Sequence, residues 1–417
     1  MSDQDLTVNG DAERLTSGAP APASAPAAAT APATDPTDPS GPSGPSDPTG
    51  PTATAHPRRV AVIGCGDISA VHFGVIAGLP GAQLVAVSDP DAGRLAAAVD
   101  AHAVPGFTDH LALFDELQPD VVHICTPHHT HAQLAIDALD RGINVIVEKP
   151  LAHSREEGER VAAAAARSEA QIAVCFQNRY NAPIAAAHAL LTGGTLGAIL
   201  GASATVNWHR TAEYYLNRPW RGRWATGGGG LLMNQAIHTV DLLQWLIGPV
   251  ASVSGNASTR VLGDVIEVED TAELVIDHVN GARSVFYATL ANVVNSPVTL
   301  DIVTENALLS VRGDLTVTYT DPQCNGRVDV VSESHEATGE RAYWGVSHHR
   351  LIADFYSRLD SGQPFWIDPV EAQKSLDIIQ DVYDQSYPER ASEQRRAGVR
   401  HEPSPTPLPT TTERAIS

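Results

Sequence analysis

Three groups of side chains in this 417-residue chain have types and spacings suited to chemistry. The first is Gly64-Cys65-Gly66-Asp67-Ile68-Ser69, which follows the apolar run RVAVI and precedes the helical pattern VHFGVIAGL. A strand, two glycines and a helix are what a dinucleotide turn needs. Gly64 makes the tight turn, and Gly66 lets backbone N–H groups around Asp67 and Ile68 approach a pyrophosphate. Ser69 stands where a third glycine would favour close helix–strand packing, and glycines after strands also serve plain turns. Asp89 strengthens the motif, because it ends the run QLVAVSD twenty residues after Ser69. A carboxylate there accepts from the adenosine ribose hydroxyls and repels a 2′-phosphate, which favours NAD over NADP. The blander role for Asp89 is to start the Asp-Pro-Asp turn. The second group is Glu148-Lys149-Pro150, closing the apolar run NVIVEKP. Carboxyl ends of parallel strands line the ligand crevice, so Lys149 is expected to point at a cofactor, with Glu148 beside it among the cofactor-binding residues. The third is His238, with Asn234 four residues before it and Asp241 three after. Positions i and i+4 share a helix face, so Asn234 and His238 can converge on one substrate, and Asp241 is expected to orient the ring. Imidazole titrates near neutrality and suits transfer of an alcohol proton.

Other features carry weaker expectations. His123, His128, His129 and His131 lie on a strand end and a turn without ligand-like helical spacing, so no metal is expected. Gly227 to Gly230 lacks the GK[ST] ending of a phosphate loop and reads as a flexible lead into the His238 helix. WHRTAEYYLNRPWRGRW concentrates aromatics and arginines that would grip a ring bearing a carboxylate or phosphate, or else form a subunit contact. Arg179, Tyr180, Tyr215 and Arg221 are the expected substrate contacts.

The elements that must position these groups are legible as alternation. From Arg59 to about Phe176, short continuous apolar runs alternate with helical patterns, the mark of a parallel sheet covered on both faces. Ser154 and Glu157 have capping-box spacing at the head of one such helix. After about Arg179 the period falls to two, with a hairpin signal at Asn280-Gly281. The expected fold is α/β: a dinucleotide-binding domain over 58–178, then a substrate and oligomerisation domain over 179–387 with an open, mainly antiparallel sheet. The last helical patterns, HHRLIADFYSRLDSG and PVEAQKSLDIIQDVYDQ, could face either domain. Residues 1–57 hold eleven of the 29 prolines and almost no large apolar groups, so this segment, like 388–417, reads as a disordered tail.

Composition excludes several classes. A formal charge of −22 with scattered basic residues argues against a nucleic-acid binder. No apolar run is long enough to span a bilayer, and the N-terminus has no secretory pattern. Cys65, Cys125, Cys175 and Cys324 form no CxxC pair, which suits a reducing, cytoplasmic setting.

VIGCGDISAVH, CTPHHTHAQLA, VEKPLA, FQNRYNAP and GGGGLLMNQAIHTVDLLQWLIG together resemble the Gfo/Idh/MocA family, over about residues 58–387. The resemblance implies a Rossmann domain joined to an α/β domain whose open sheet face mediates homodimers or homotetramers. It implies that Lys149 and His238 are catalytic, that Thr126, Pro127 and His131 lie along the nicotinamide ribose, and that Gly64, Gly66 and Asp89 hold the cofactor. Asn234 departs from the aspartate of inositol dehydrogenase, and an amide cannot take a proton, so base duty falls on His238. The expected function is NAD(H)-dependent hydride transfer to or from a secondary alcohol carbon of a sugar, cyclitol or nucleotide sugar. An NADP(H)-dependent keto-sugar reductase and a non-enzymatic dinucleotide sensor are the rival readings.

Overall fold

The apolar runs read as strands assemble into a six-stranded parallel sheet in the computed structural model, which describes residues 56–320, 327–332, 347–390 and 392. Its elements alternate: β1 (Arg58–Ile63), α1 (Ser69–Gly78), β2 (Ala82–Ser88), α2 (Ala92–His102), β3 (Gly106–Phe107), α3 (His110–Leu117), β4 (Val121–Ile124), α4 (His128–Leu139), β5 (Asn144–Val147), α5 (Arg155–Arg167) and β6 (Ile172–Val174). The strand order is β3-β2-β1-β4-β5-β6, so the direction of winding reverses between β1 and β4. The turns after β1, β4 and β5 therefore crowd around one switch point, where ligands bind in open parallel sheets. Val60, Val62, Val121 and Val122 are wholly buried because helices cover both faces. Ser154 caps α5, its Oγ accepting from Glu157 N at 3.3 Å. β3 and α3 go beyond the sequence reading, since a two-residue strand leaves no periodicity to detect.

The second half comprises α6 (Ala182–Thr192), β7 (Ile199–Asn207), α7 (Ala212–Leu216), α8 (Trp224–Gly227), a π-helical turn (Leu232–Ala236), α9 (Ile237–Ile247), β8 (Val250–Ser258), β9 (Thr271–His278), β10 (Arg283–Thr289), β11 (Thr299–Thr304), β12 (Ala307–Arg312), β13 (Asp314–Tyr319) and β14 (Val328–Val331). Its eight-stranded sheet runs β14-β13-β12-β11-β7-β10-β9-β8. Within this second sheet only the β7–β10 pair is parallel among the described strands. The β9–β10 hairpin turns at Asn280-Gly281, with Gly281 at φ +88°. Alternation sorts β10 cleanly: Ser284, Phe286 and Ala288 are buried, while Val285 and Tyr287 are exposed on the open face.

α10 (Ser347–Arg358) and α11 (Pro369–Ser386) return to the first sheet. Val174 N donates to Ile367 O at 3.0 Å, and Arg155 Nε donates to Asp377 Oδ1 at 3.1 Å. α11 also meets the second sheet, where Ala257 N donates to Ser386 Oγ at 2.8 Å. The expected tails lie largely outside the described residues, as does Cys324. Residues 388–390 are helical, and Arg390 stacks over Trp224 at 4.1 Å, so regular structure continues past Pro388.

Candidate active site

Gly64 has φ +91°, and a Cβ added there would sit 2.7 Å from the Cys125 carbonyl oxygen and 2.8 Å from Thr126 Cγ2. Only glycine lets the turns after β1 and β4 touch in this way. Ser69 fits in place of a third glycine because its Oγ folds back and donates to Gly66 O at 2.7 Å. Ile68 and Pro127, the N-cap residues of α1 and α4, provide no side-chain cap, so N-terminal N–H groups of both helices stay available to an anion. Asp89 is buried, and its carboxylate accepts from Cys65 N at 2.9 Å, Asp91 N at 2.8 Å and Arg94 at 3.1 and 3.2 Å. It braces both the glycine turn and its own Asp-Pro-Asp turn, and half-exposed Arg94 covers its outer edge. His131 is fully buried, its ring nitrogens 2.8 Å from the carbonyls of Thr126 and Pro150. It ties the turns after β4 and β5 together, a positioning role rather than the expected ribose contact.

Lys149 stands at the end of β5, and its peptide bond to Pro150 is cis. Its Nζ donates to the Asn234 carbonyl at 2.6 Å. Asn234 belongs to the π-helical turn, and such widened turns open the backbone at functional sites. Burial pushes Lys149 down to about 8, opposed by the charge of Glu148 and assisted by that of Arg221. His238 follows one turn later; its Nδ1 is buried with no hydrogen-bond partner among the described residues, and Phe176 packs edge-on at 6.1 Å. Burial, then the Lys149 charge, hold His238 well below its ordinary value, so its imidazole is neutral near pH 7. The ammonium and the imidazole are therefore close enough to sense each other.

Glu148, expected beside the cofactor, has its carboxylate engaged behind the site. Oε1 accepts from His72 Nε2 at 3.0 Å and His348 Nε2 at 3.1 Å. Burial pushes Glu148 up, but these two histidines outweigh it and hold the group well below the usual carboxylate range. His72 Nδ1 meets His123 Nδ1 at 2.8 Å, and His123 Nε2 meets the Tyr356 hydroxyl at 3.1 Å. The ligand atoms of His72, Glu148 and His348 lie within 4.8 Å of one another, a two-imidazole, one-carboxylate set of the kind divalent metals use. Here these atoms satisfy one another by hydrogen bonding. Sequence reading missed this cluster because its members are 76 and 200 residues apart along the chain.

Several expected contacts are engaged elsewhere. Arg179 is buried, with Nε and Nη2 on Asp241 at 2.8 and 2.6 Å and Nη2 also on Glu371 at 2.9 Å. Asp241 accordingly does not orient His238; it neutralises Arg179, and Ser375 Oγ also donates to it at 3.0 Å. Tyr180 donates to Asp354 Oδ2 at 2.7 Å. Tyr215 is packed inside, and its neighbour Tyr214 is the one that meets the site, accepting from Asn234 Nδ2 at 3.2 Å and Gln235 Nε2 at 3.1 Å. Arg221 stacks over Tyr214 at 4.5 Å. The glycine run is no flexible lead. A Cβ on Gly228, Gly229 or Gly230 would overlap the His153 carbonyl, the Tyr383 hydroxyl or the Glu269 carbonyl. Glu269 also accepts from Gly230 N at 2.9 Å and Leu232 N at 2.8 Å, clamping the start of the π turn.

Two family profiles match the chain in tandem: an oxidoreductase family with an NAD-binding Rossmann fold over residues 58–176, and the GFO/IDH/MocA C-terminal domain over 184–310. The chain belongs to the Gfo/Idh/MocA oxidoreductase family. Among relatives, levoglucosan dehydrogenase of Pseudarthrobacter phenanthrenivorans is 28% identical over 246 residues, covering 53% of this chain and 63% of that protein. Inositol 2-dehydrogenase 2 of Saccharopolyspora erythraea is 28% identical over 226 residues, with the same coverage. The matched region thus spans less than two thirds of the length of these curated relatives. The WlbA dehydrogenase of Bordetella pertussis, solved with NADH and UDP-GlcNAcA, is similar over 82% of this chain and 97% of its own, at 28% identity and TM-score 0.68. A levoglucosan dehydrogenase structure shares the fold at TM-score 0.72 and 23% identity, covering 80% and 98%. As a Gfo/Idh/MocA protein the chain pairs its dinucleotide-binding half with the family's open-sheet half. No helix among the described residues is long and apolar enough to cross a membrane.

Proposed function

We propose that this protein is an NAD(H)-dependent dehydrogenase that moves a hydride to or from a secondary alcohol carbon of a sugar, cyclitol or nucleotide sugar. The observation that carries the reading is the meeting of Lys149, from the end of β5, with the π turn and His238 beside the glycine turn. Relatives named for levoglucosan and inositol support the substrate class. The fit of a dinucleotide rests on the Gly64 contact and the uncapped starts of α1 and α4. When bound, the nicotinamide accepts or supplies the hydride. The chain does the rest. His238, neutral near pH 7, takes the hydroxyl proton, and the Lys149 ammonium stabilises the developing alkoxide. In reduction protonated His238 returns the proton to the oxygen as hydride adds to the carbon, and Lys149 stabilises the same developing alkoxide. Asn234 and Arg221 are assigned to hold the substrate.

Screening free sugars, cyclitols and nucleotide sugars for NAD reduction tests the activity. Lys149→Met should leave NADH binding intact and cut turnover about a thousandfold or more; undiminished turnover would remove Lys149 from the mechanism. One observation favours NADP(H) as a second reading: Arg94 lies on the outer edge of Asp89, where a guanidinium can meet a 2′-phosphate. Parallel titration with NADH and NADPH separates the two. We assign the open sheet face bearing Val285 and Tyr287 to a homodimer or homotetramer contact.

A further inference from the structure

Two arginines reach the glycine turn from the segment between α7 and α8. Arg218 Nη2 donates to Asp67 Oδ1 at 3.0 Å, while Arg221 Nη2 lies 3.6 Å from Asp67 Oδ2. Their settings differ. The Arg218 side chain is 43% exposed and that of Arg221 only 18%. The Arg221 guanidinium lies over the rings of Tyr214 at 4.5 Å and Trp220 at 5.5 Å, and Tyr214 in turn holds the side chains of Asn234 and Gln235. Arg221 thus stands between the glycine turn and the floor of the Lys149 site. Its Nε is buried with no hydrogen-bond partner among the described residues. Leaving a guanidinium N–H buried without an acceptor is costly, and a second cation nearby adds to the cost.

The carboxylates around it do not balance this charge. Asp67 is shared with Arg218, Glu148 is held by His72 and His348, and the residue facing Lys149 from the π turn is an amide, Asn234. Set against the carboxylates of Asp67 and Glu148, the three cations Arg218, Arg221 and Lys149 leave one positive charge in excess around the substrate space. We propose that Arg221 receives an anionic group, a carboxylate or a phosphoryl, carried by the substrate, so that the enzyme acts on acidic sugars. This rests on the dehydrogenase reading above. The planar fork of arginine suits two-point binding of either anion, and its contact with Asp67 shows that a carboxylate oxygen can approach it. The dinucleotide pyrophosphate is the competing source of such an anion. It lies with the glycine turn, where the more exposed Arg218 is the nearer donor.

The test uses the full chain saturated with NADH, titrated calorimetrically with two matched pairs: D-glucuronate against D-glucose, and glucose 1-phosphate against methyl glucoside. In the wild type at least one acidic member should bind tenfold or more tightly than its neutral partner. Arg221→Gln should abolish that preference, Arg221→Lys should keep part of it, and the NADH dissociation constant should move less than twofold in both. If neither acidic member outdoes its neutral partner, the proposal is overturned, and turnover of neutral sugars would leave the dehydrogenase reading standing. If Arg221→Gln weakens NADH and spares the preference, Arg221 serves the pyrophosphate and the proposal is equally overturned.

Discussion

At the scale of single residues, Lys149 sets the pH behaviour. In the proposed mechanism its ammonium stabilises an alkoxide, and burial brings it down to about 8. The sign follows directly: kcat/KM for alcohol oxidation should fall as pH rises through about 8. Arg221 depresses Lys149, so Arg221→Gln should move that alkaline limb upward; an unmoved limb would show that the limb belongs to another group. His238 is held well below its ordinary value and should contribute no limb between pH 7 and 8. Asp241 gives a different kind of prediction, because it neutralises buried Arg179. Asp241→Ala should cost about 3 to 5 kcal/mol in urea unfolding and leave the pH profile of the surviving enzyme in place. A shifted profile would restore the ring-orienting role that the i+3 spacing suggested. The placement of Lys149 at the end of β5 was legible because parallel-strand ends line one crevice, whereas its contact with the Asn234 carbonyl was not, since that residue sits in a π turn. Tyr214 was not, since the choice between it and Tyr215 depends on which side of the five-residue α7 faces the π turn.

At the scale of elements, the chain into α9 is the part that periodicity misjudged. GLLMNQAIH fits a regular apolar helix, and nothing in its spacing announces the wide turn at Leu232–Ala236. The glycines before it looked like slack for the same reason, because tight backbone packing leaves no signature in one sequence. Gly228 shows the difference: it holds φ +72° and faces the His153 carbonyl. Gly228→Ala should destabilise the fold by about 2 to 3 kcal/mol, from left-handed strain and overpacking together. Unfolding within 0.5 kcal/mol of wild type would mean that the run is slack after all. The alternating strands and helices of the first half were plain, with β3 lost only through its shortness.

At the scale of the whole molecule, both sheets were legible in outline, whereas the service of α11 to both was open, since its apolar stripe names no partner. The exposed Val285 and Tyr287 lie on a face that no described helix covers. Val285→Glu with Tyr287→Glu should convert an oligomer to monomers in sedimentation, because charges facing each other across a contact repel; an unchanged oligomer would place the contact elsewhere. The close approach of Gly228 to the His153 carbonyl has a mechanical consequence. Lys149 and His238 hang from backbone segments that meet at that seam, so their spacing behaves as a fixed jaw. Compliance must come from the opposite rim, where the partly exposed Arg218–Asp67 pair is worth no more than about 1 kcal/mol. Thermal motion can open such a contact while Lys149 and His238 stay in register.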